Sequence, residues 1–280
     1  MLQELEPLID KALTNSTTEE ECDALNATLR KGIYALGEGK LRAVSVATDE
    51  NSYEVNLAVK RLILAYFKTG KIEPVNPDRL SDGYDKIRLR FGNNDRTYLD
   101  DRGIRIVAGA IIREGSYIGQ NTVFMPCFVN IGAYIDEGTM IDTWATVGSC
   151  AQIGKRVHLS GGAGIGGVLE PINARPVVIE DDVFIGARSE VVEGVIVKRG
   201  AVLSMGVFIS ASTPIIDANS GETWTGIVPE NAVVVPGTRH RDKSNFSTYA
   251  AIIIKYADER TRSKLRLDDT FRGNVLNKHS

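Results

Sequence analysis

The sequence is short of the side chains that bind metals. Its 280 residues include only three histidines and three cysteines, and neither set has the spacing of a metal site. A zinc centre needs about three converging imidazoles, and only His158 lies in the repeat described below. We therefore expect no metal cofactor. The odd number of cysteines suits a reducing compartment, and Cys127 and Cys150 are predicted to be small buried residues rather than nucleophiles.

Long apolar runs and a strong charge of one sign are also absent. The formal net charge is −3, so bulk electrostatics disfavour nucleic acid as a partner. The longest aliphatic run, Ala250 to Ile254, is too short to span a bilayer. The acidic start, Met1 to Glu6, lacks the apolar stretch of a signal peptide. These features predict a cytoplasmic protein without membrane or nucleic-acid partners.

The middle of the chain carries an aliphatic residue at every sixth position. The pattern runs from Ile106 to Ile165 with one skipped residue, continues from Ile179 to Ile215, and is read again at Ile227 and Val233. A period of six fits neither an amphipathic helix nor an alternating strand, and it is typical of a parallel β-helix. We expect the aliphatic residues to fill the interior and the small residues four positions later to fit the corners. Three hexads make one triangular coil, so residues 18 apart are predicted to stack.

The flanking regions lack the hexad and predict other structure. Residues 1–103 are interpreted as a small, mostly helical domain that covers the first coil. The predicted elements there are helices over Leu2 to Leu13 and Val55 to Phe67, the latter ended by Gly70, a helix start at Thr17 or Thr18, and a strand within Leu41 to Thr48. After Gly237 we expect a polar linker, a strand over Tyr249 to Tyr256 and a helix over Asp258 to Arg272.

The predicted fold class is therefore mainly β, a parallel β-helix with a helical N-terminal domain and a C-terminal strand–helix cap. The predicted domains are residues 1–103, 104–237 and 238–280. The repeat breaks at Val168 to Val177, where two prolines predict a projecting loop, and at Ile216 to Gly226, which is typical of a turn. The G-x-G-x-x-G from Gly162 to Gly167 lies in the hexad frame, so we reject a dinucleotide site and expect the glycines to admit a close backbone or ligand.

A few polar residues in the repeat are candidates for chemistry. Asp142 lies beside Thr143 and Trp144, which we expect to form an apolar wall, and Glu190 also has apolar neighbours. Two such carboxylates can share proton transfer, although either can equally be a solvated outer residue. His158 can be a lone general base but is more simply a solvated corner residue. Arg105 precedes the first coil and can bind a carboxylate through two hydrogen bonds, or lie free on the surface.

Several segments of the repeat resemble one known enzyme family. They are Val129 to Lys155, His158 to Gly162, Gly164 to Pro171 and Ile185 to Val197. The sequence Asp-Thr-Trp-Ala-Thr-Val-Gly-Ser-Cys-Ala-Gln, which starts at Asp142, is the most specific. These segments resemble the 2,3,4,5-tetrahydropyridine-2,6-dicarboxylate N-succinyltransferases of lysine and diaminopimelate biosynthesis, whereas the hexads alone indicate only the hexapeptide acyltransferase superfamily.

The resemblance implies a left-handed coil, a homotrimer with active sites between neighbouring subunits, and succinyl-CoA as donor. It places the family's substrate-binding residues at Arg105 and Asp142 and its second acid at Glu190. We expect the pantetheine arm of the CoA to lie near Ser204 and Gly206. Two alternatives remain open from the sequence: another CoA-dependent hexapeptide acetyltransferase that modifies an amine or a hydroxyl, and a β-helix scaffold without catalysis.

Overall fold

The N-terminal region is helical, as predicted. The computed structural model describes residues 1–14, 17–46, 52–75, 83–92, 95–240 and 245–258. The first elements are α1 (Leu2–Leu13), α2 (Glu19–Gly37), β1 (Val44–Val46), β2 (Tyr53–Val55), α3 (Leu57–Thr69), β3 (Glu73–Val75), β4 (Gly83–Asp85) and α4 (Arg96–Asp101). The predicted helix start is confirmed at Thr18, whose side chain and backbone both bond Glu21 in a capping box. Residues 47 and 48 of the predicted first strand lie outside the described residues.

The repeat folds into short strands, most of them two residues long. In chain order they are β5 (Arg105–Ile106), β6 (Ile111–Ile112), β7 (Tyr117–Ile118), β8 (Val123–Phe124), β9 (Phe128–Val129), β10 (Tyr134–Ile135), β11 (Met140–Ile141), β12 (Thr146–Val147), β13 (Gln152–Ile153), β14 (His158–Leu159), β15 (Gly164–Ile165), β16 (Val178–Ile179), β17 (Phe184–Ile185), β18 (Glu190–Val191), β19 (Ile196–Val197), β20 (Val202–Leu203), β21 (Phe208–Ile209), β22 (Ile215–Asp217), β23 (Thr223–Trp224) and β24 (Ile227–Val228). Two longer strands follow, β25 (Ala232–His240) and β26 (Ser247–Tyr256).

Every third strand pairs in parallel, so the chain winds into a three-sided coil. Sheet 1 is β7-β10-β13-β16-β19-β24, and sheet 3 is β6-β9-β12-β15-β18-β21. Sheet 2 is β5-β8-β11-β14-β17-β20 and continues into β25, β26, β22 and β23. We number the coils from the N-terminus: coil 1 starts at β5, coil 2 at β8, coil 3 at β11, coil 4 at β14, coil 5 at β17 and coil 6 at β20.

The predicted stacking and inward positions are confirmed through most of the coil. Ile135 pairs with Ile153, and Ile141 with Leu159, each 18 residues on. The hexad residues from Ile112 to Ile215 are buried and form one continuous core. Cys127 and Cys150 are buried as well. The N-terminal helices form a second core that includes Ile131 and Cys150 of the coil, so the two regions pack together.

The last two hexad positions were predicted in the wrong frame. Ile227 is 37% exposed, whereas Val228 is 0% exposed and stacks on Val197. In the same way Val234, rather than Val233, stacks on the inward Leu203. The hairpin β22–β23 inserts residues within coil 6, between β21 and β24, and an inserted segment does not fix the frame in which the repeat resumes.

The C-terminal region differs from its prediction in one respect. The strand predicted over Tyr249 to Tyr256 is confirmed within β26, but residues 238–240 do not form a linker, because β25 runs on to His240 and pairs antiparallel with β26. Residues 241–244 of the predicted linker lie outside the described residues. The boundary predicted at 237/238 therefore falls inside a strand, and the division into 1–103, 104–237 and 238–280 stays a prediction. Residues 259–272 of the predicted final helix lie outside the described residues. No helix in the described ranges combines the length and apolar content that a bilayer span requires.

The predicted loop between β15 and β16 is confirmed and packs against the N-terminal helices. The buried ammonium group of Lys60, on α3, donates hydrogen bonds to the carbonyl oxygens of Pro171 (3.3 Å) and Ala174 (2.9 Å). Arg175 donates two further bonds to the Gly194 carbonyl. These contacts hold the loop at the corner where sheet 3 turns into sheet 1, away from the corner where sheet 2 turns into sheet 3.

Candidate active site

The candidate residues of the repeat lie around one edge of the coil, where sheet 2 turns into sheet 3. We call this edge the 2–3 corner. Its segments in coils 3, 4, 5 and 6 are Asp142–Ala145, Ser160–Ala163, Gly186–Ser189 and Ser204–Val207. Coil 4 contributes only small residues here, Ser160, Gly161, Gly162 and Ala163, whereas the coils on both sides contribute large or charged ones. We call the strip over these small residues the coil 4 groove.

Asp142 lies on the coil 3 side of this groove with one oxygen held and one free to act. Its Oδ1 accepts a hydrogen bond from the backbone N–H of Thr143 (2.6 Å) and another from the Thr143 hydroxyl (3.2 Å). Its Oδ2 lies 4.0 Å from Nε2 of His158. The predicted wall of Trp144 is wrong within one chain, because that side chain is 69% exposed. Asp142 is nevertheless oriented by its neighbour before any ligand binds.

His158 is not the solvated corner residue that the sequence suggested. It lies in β14 on sheet 2, its side chain is 17% exposed, and its ring meets the ring of Phe184 edge-on at 5.1 Å between centroids. Both ring nitrogens are buried and have no hydrogen-bond partner among the described residues. Burial lowers the pKa of His158, and the nearby Asp142 carboxylate opposes the shift only in part. The imidazole is therefore neutral beside Asp142 near pH 7.

Glu190 reaches across the groove from the coil 5 side. It stands in β18 on sheet 3, and Gly164 stands directly beside it in coil 4. A Cβ on Gly164 would overlap both carboxylate oxygens of Glu190, so this glycine is what lets the carboxylate lie over coil 4. Partial burial raises the pKa of Glu190 above the ordinary glutamate value. The glycines were predicted to admit a close backbone or a ligand. At Gly164 the close neighbour is a side chain instead, whereas at Gly167 it is the backbone of Gly148 and Ser149, as predicted.

Arg188 makes the same kind of approach at the corner itself, and the sequence analysis did not single it out. Its Cδ, Nε and Cζ atoms each lie 2.8 Å from where a Cβ on Gly162 would stand. The side chain thus lies over Gly162 of coil 4, as the carboxylate of Glu190 lies over Gly164. The sequence carried no signal for this contact, because it depends on which residue of coil 4 lies beside Arg188.

The other predicted residues lie farther along the same side of the coil. Arg105 is in β5 on sheet 2, two coils before Asp142, which is about 10 Å at the spacing of parallel strands. Its Nε is buried and has no hydrogen-bond partner among the described residues. Ser204 and Gly206 occupy the 2–3 corner in coil 6, three coils beyond Asp142, or about 14 Å. A Cβ on Gly206 would meet nothing within 4 Å, so the surface above it is open.

Cys127, at the 2–3 corner in coil 2, is not suited to act as a nucleophile. Burial, and then the nearby Asp142 carboxylate, raise the pKa of the Cys127 thiol to about 12. A thiol with such a pKa is almost entirely protonated at pH 7 and therefore unreactive. Within the described ranges, no three histidine, cysteine or acidic side chains are grouped so that they would hold a metal ion.

A cavity of about 400 Å³ lies on the far side of the coil, between the β1–β2 pair and sheet 1. Its charged groups are engaged with one another. Arg42 stacks on the Tyr134 ring (3.7 Å) and donates to the Gln152 side chain, and Glu180 accepts from Tyr53 and Lys198. Because these groups already satisfy each other, the cavity presents few free groups to a ligand.

Comparison with known proteins identifies the family. Residues 176–211 match the model described as "Hexapeptide repeat of succinyl-transferase". The 2,3,4,5-tetrahydropyridine-2,6-dicarboxylate N-succinyltransferase of Nitrobacter winogradskyi is 50% identical over 269 residues, covering 94% of each chain. The protein of the same name from Acinetobacter baylyi is 46% identical over 274 residues, covering 97% of this chain and 99% of its own.

A solved structure supports the fold. It is a Campylobacter jejuni protein described as a 2,3,4,5-tetrahydropyridine-2-carboxylate N-succinyltransferase, with a TM-score of 0.52, 15% identity, and coverage of 81% of this chain and 62% of that one. At this identity the likeness bears on the fold alone. The sequence relatives carry the assignment, and the chain belongs to the 2,3,4,5-tetrahydropyridine-2,6-dicarboxylate N-succinyltransferase family.

Proposed function

We propose that this chain transfers a succinyl group from succinyl-CoA to the nitrogen of tetrahydrodipicolinate, giving N-succinyl-2-amino-6-oxopimelate in lysine and diaminopimelate biosynthesis. The observation that carries the proposal is the 46–50% identity to relatives of that name over nearly the whole chain. An acyl-CoA is the co-substrate that this class of transferase uses. The coil 4 groove, with a carboxylate on each side, supplies the groups that such a transfer needs.

Asp142 is the proposed base. Water first adds to the C=N bond of the cyclic substrate, so that the ring nitrogen carries a proton. Asp142 takes that proton as the nitrogen attacks the thioester carbon, the C–S bond breaks to release CoA as its thiolate, and opening of the hydrated ring leaves the 6-oxo group. Support comes from its geometry: Thr143 holds Oδ1, while Oδ2 faces the groove near His158. A base held in one orientation loses less entropy on reaching the transition state.

Glu190 is the proposed second acid, which assists hydration of the cyclic substrate or moves a proton during transfer. Its pKa, raised by partial burial, supports this role, because a carboxyl group that holds its proton more tightly accepts one more readily. Its position over Gly164 brings its carboxylate one coil closer to Asp142 than its own strand would allow.

Arg105 is proposed to bind one carboxylate of the acceptor. A guanidinium whose Nε is buried and unpaired within the described chain is ready to donate to an anion. The oxyanion that forms on the thioester carbon needs a donor as well. The backbone N–H of Gly161, in the groove, has no hydrogen-bond partner among the described residues and is suited to that task.

The pantetheine arm is proposed to pass Ser204 and Gly206. Both lie on the 2–3 corner in coil 6, in line with Asp142, and the absence of a side chain on Gly206 leaves the surface there open. An extended thiol arm that runs along the corner toward coil 4 would bring the thioester to the groove.

The proposed assembly is a homotrimer, with each site completed by a neighbouring subunit. In the single chain, three large apolar side chains stand exposed around the 2–3 corner: Trp144 (69%), Met205 (71%) and Phe208 (53%). Exposed apolar groups clustered on one edge favour contact with another protein surface. Light scattering or analytical ultracentrifugation will give the mass: three chains support the proposal, and a stable monomer with full activity contradicts it.

The activity is tested by following thiol release. Purified protein is mixed with succinyl-CoA and tetrahydrodipicolinate, with acetyl-CoA as the parallel donor. We expect release that depends on both substrates and is much faster with succinyl-CoA. Faster release with acetyl-CoA would favour another hexapeptide acetyltransferase, and no CoA binding at all would favour a scaffold without catalysis.

A further inference from the structure

His158 is a polar side chain in a column that is otherwise apolar. The outward side chains of sheet 2 stack one coil apart, and from coil 2 to coil 6 they are Val123, Met140, His158, Phe184 and Val202. An imidazole placed in such a column loses its hydration. Both of its nitrogens are buried and have no hydrogen-bond partner among the described residues. Packing alone would be served by an apolar residue, so the imidazole needs another explanation.

The carboxylate of Asp142 gives the imidazole a partner within reach. Its Oδ2 lies 4.0 Å from Nε2 of His158, about 1 Å beyond the length of a hydrogen bond. Because burial lowers the pKa of the ring, it is neutral near pH 7, with a proton on one nitrogen and a lone pair on the other. The negative charge attracts an N–H and repels a lone pair, so it favours the tautomer with the proton on Nε2. The imidazole therefore presents a donor to Asp142.

The Asp142 carboxylate has a lone pair to accept that N–H. An ionised carboxylate offers about four lone-pair sites on its two oxygens. The backbone N–H and the hydroxyl of Thr143 occupy two of them, both on Oδ1. A bond from Nε2–H of His158 fills a third, on Oδ2. One site on Oδ2 then remains, so the base can take a proton from a single direction.

The backbone holds the two side chains in a fixed frame. The N–H of Asp142 donates to the carbonyl oxygen of Leu159 (2.9 Å), the residue directly after His158. The edge-on contact with the Phe184 ring, 5.1 Å between centroids, limits how the imidazole can turn. The missing hydrogen bond therefore closes by a small rotation of the side chains, without any change of the coil.

We propose that His158 is a positioning residue for the base: when the substrates bind, its Nε2–H donates to Oδ2 of Asp142 and so aims the remaining lone pair at the acceptor nitrogen. This inference rests on the proposed function, in which Asp142 takes the proton from that nitrogen. The imidazole keeps its own proton throughout, and the proton that leaves the nitrogen ends on Asp142. A base whose other lone pairs are occupied before the reaction needs no reorientation in the transition state.

The kinetic test separates orientation of the base from binding of the substrates. In His158→Leu we expect kcat of thiol release to fall about 10-fold, the effect of one lost hydrogen bond to a charged group, with KM for both substrates within about twofold of wild type. His158→Gln keeps a side-chain N–H at a similar distance from the backbone, so its kcat should return to within about threefold of wild type. Met140→Leu is the matched control, because Met140 stacks directly on His158, has no N–H and keeps its volume in the variant. Its kcat should match that of wild type.

A spectroscopic test reports the position of the proton directly. The chain has only three histidines, so protein labelled with nitrogen-15 in the imidazole rings gives few signals, and His158→Gln identifies the one from His158. With CoA and the acceptor analogue piperidine-2,6-dicarboxylate bound, we expect the neutral Nε2–H tautomer. Its proton resonance should lie downfield of its position in the free protein, and Asp142→Ala should abolish that difference.

The outcomes separate the inference from the function on which it rests. If wild-type protein is active and His158→Gln loses as much kcat as His158→Leu, or if the proton lies on Nδ1, the inference is wrong and the proposed function stands. If wild-type protein releases no thiol from succinyl-CoA with tetrahydrodipicolinate, both are wrong. Elution volume and melting temperature are measured for each variant. If His158→Leu does not fold, the tautomer and the shift on ligand binding in wild-type protein decide.

Discussion

The sheet 1 side of the coil and the 2–3 corner are built from the same repeat, but they differ in how their polar groups are paired. Those on the sheet 1 side are hydrogen-bonded to one another, whereas several around the 2–3 corner are not. On sheet 1, Glu180 alone accepts hydrogen bonds from the Tyr53 hydroxyl (2.8 Å), the Lys198 ammonium (2.9 Å) and the backbone N–H of Arg199 (2.9 Å). Around the coil 4 groove, His158 has two buried nitrogens without partners in the described chain, and Arg188 has no ion pair there.

The contrast shows how a regular scaffold separates stability from function. Buried or half-buried polar groups are nearly always satisfied in folded proteins, and an unsatisfied group needs an explanation. On sheet 1 the polar groups join the N-terminal region to the coil. Around the groove, the described residues offer no such partners, and we propose that the binding of a ligand or a neighbouring subunit supplies them. Substitutions on the sheet 1 side should therefore lower the free energy of unfolding, and substitutions around the groove should lower turnover.

The largest expected effect is that of Asp142→Asn on turnover. Removing a general base typically costs 10²- to 10⁴-fold, so we expect kcat to fall about 10³-fold with an unchanged melting temperature. Asp136→Asn is the matched control: its Oδ1 likewise accepts from the next backbone N–H, that of Glu137 (2.8 Å), but it lies on the sheet 1 side. Steady-state thiol release measures both. Equal losses in the two variants would remove Asp142 from the mechanism.

The second prediction concerns the space that Gly164 leaves for Glu190. In Gly164→Ala the new methyl group must displace the carboxylate, and we expect kcat to fall about 10- to 100-fold. A double-mutant cycle with Glu190→Ala isolates the cause. If the glycine acts only by admitting the carboxylate, Gly164→Ala has little further effect once Glu190 is an alanine. Additive losses in the double variant would mean that the glycine matters for another reason.

On the sheet 1 side we expect stability to change and turnover to stay. Glu180→Ala leaves the Tyr53 hydroxyl and the Lys198 ammonium without their acceptor, which should cost about 1–3 kcal/mol of unfolding free energy. Glu137→Ala is the control, because its ion pair with Lys155 is exposed and should be worth less than about 1 kcal/mol. Urea unfolding and thiol-release assays measure the two properties. A large loss of kcat/KM in a folded Glu180 variant would contradict the separation.

The smallest expected effect is the pH dependence of stability from His158. Burial holds its folded pKa below the ordinary value of 6.5, so the unfolded chain binds a proton more readily than the folded chain. This contribution to stability is complete above pH 6.5 and is lost as the pH falls through the folded pKa. His158→Asn should therefore make the fall in unfolding free energy below pH 6.5 less steep. An equal or steeper fall in the variant would show that the ring is already protonated or paired.

The fold was predictable from the sequence because its repeat is local. Each inward aliphatic residue faces the same surroundings one coil later, so a period of six fixes both the burial and the partner of residues such as Ile141 and Leu159. The prediction failed where an insertion interrupted the period, at Ile227 and Val233. It failed again at Gly237, because the polar end of β25 has no hydrophobic alternation and is held by its pairing with β26.

The geometry of the candidate site was harder to predict from the sequence, because it depends on contacts between side chains of neighbouring coils. An outward position in a hexad looks solvated, yet His158 is buried against Phe184, which stands 26 residues on instead of 18 because the loop after β15 intervenes. The fit of Glu190 over Gly164, and of Arg188 over Gly162, likewise depends on which residues the loop brings side by side. Composition and periodicity do not contain that information.

The central claim is that the coil 4 groove, and not the cavity on the sheet 1 side, holds the reacting groups. The most direct test is a crystal structure of the protein with CoA and piperidine-2,6-dicarboxylate, a saturated ring that carries both acceptor carboxylates. The account predicts the ring beside Asp142 with a carboxylate near Arg105, and the CoA thiol arm along the 2–3 corner past Gly206. Ligand bound instead among Arg42, Tyr53 and Glu180, with an empty groove, would contradict it.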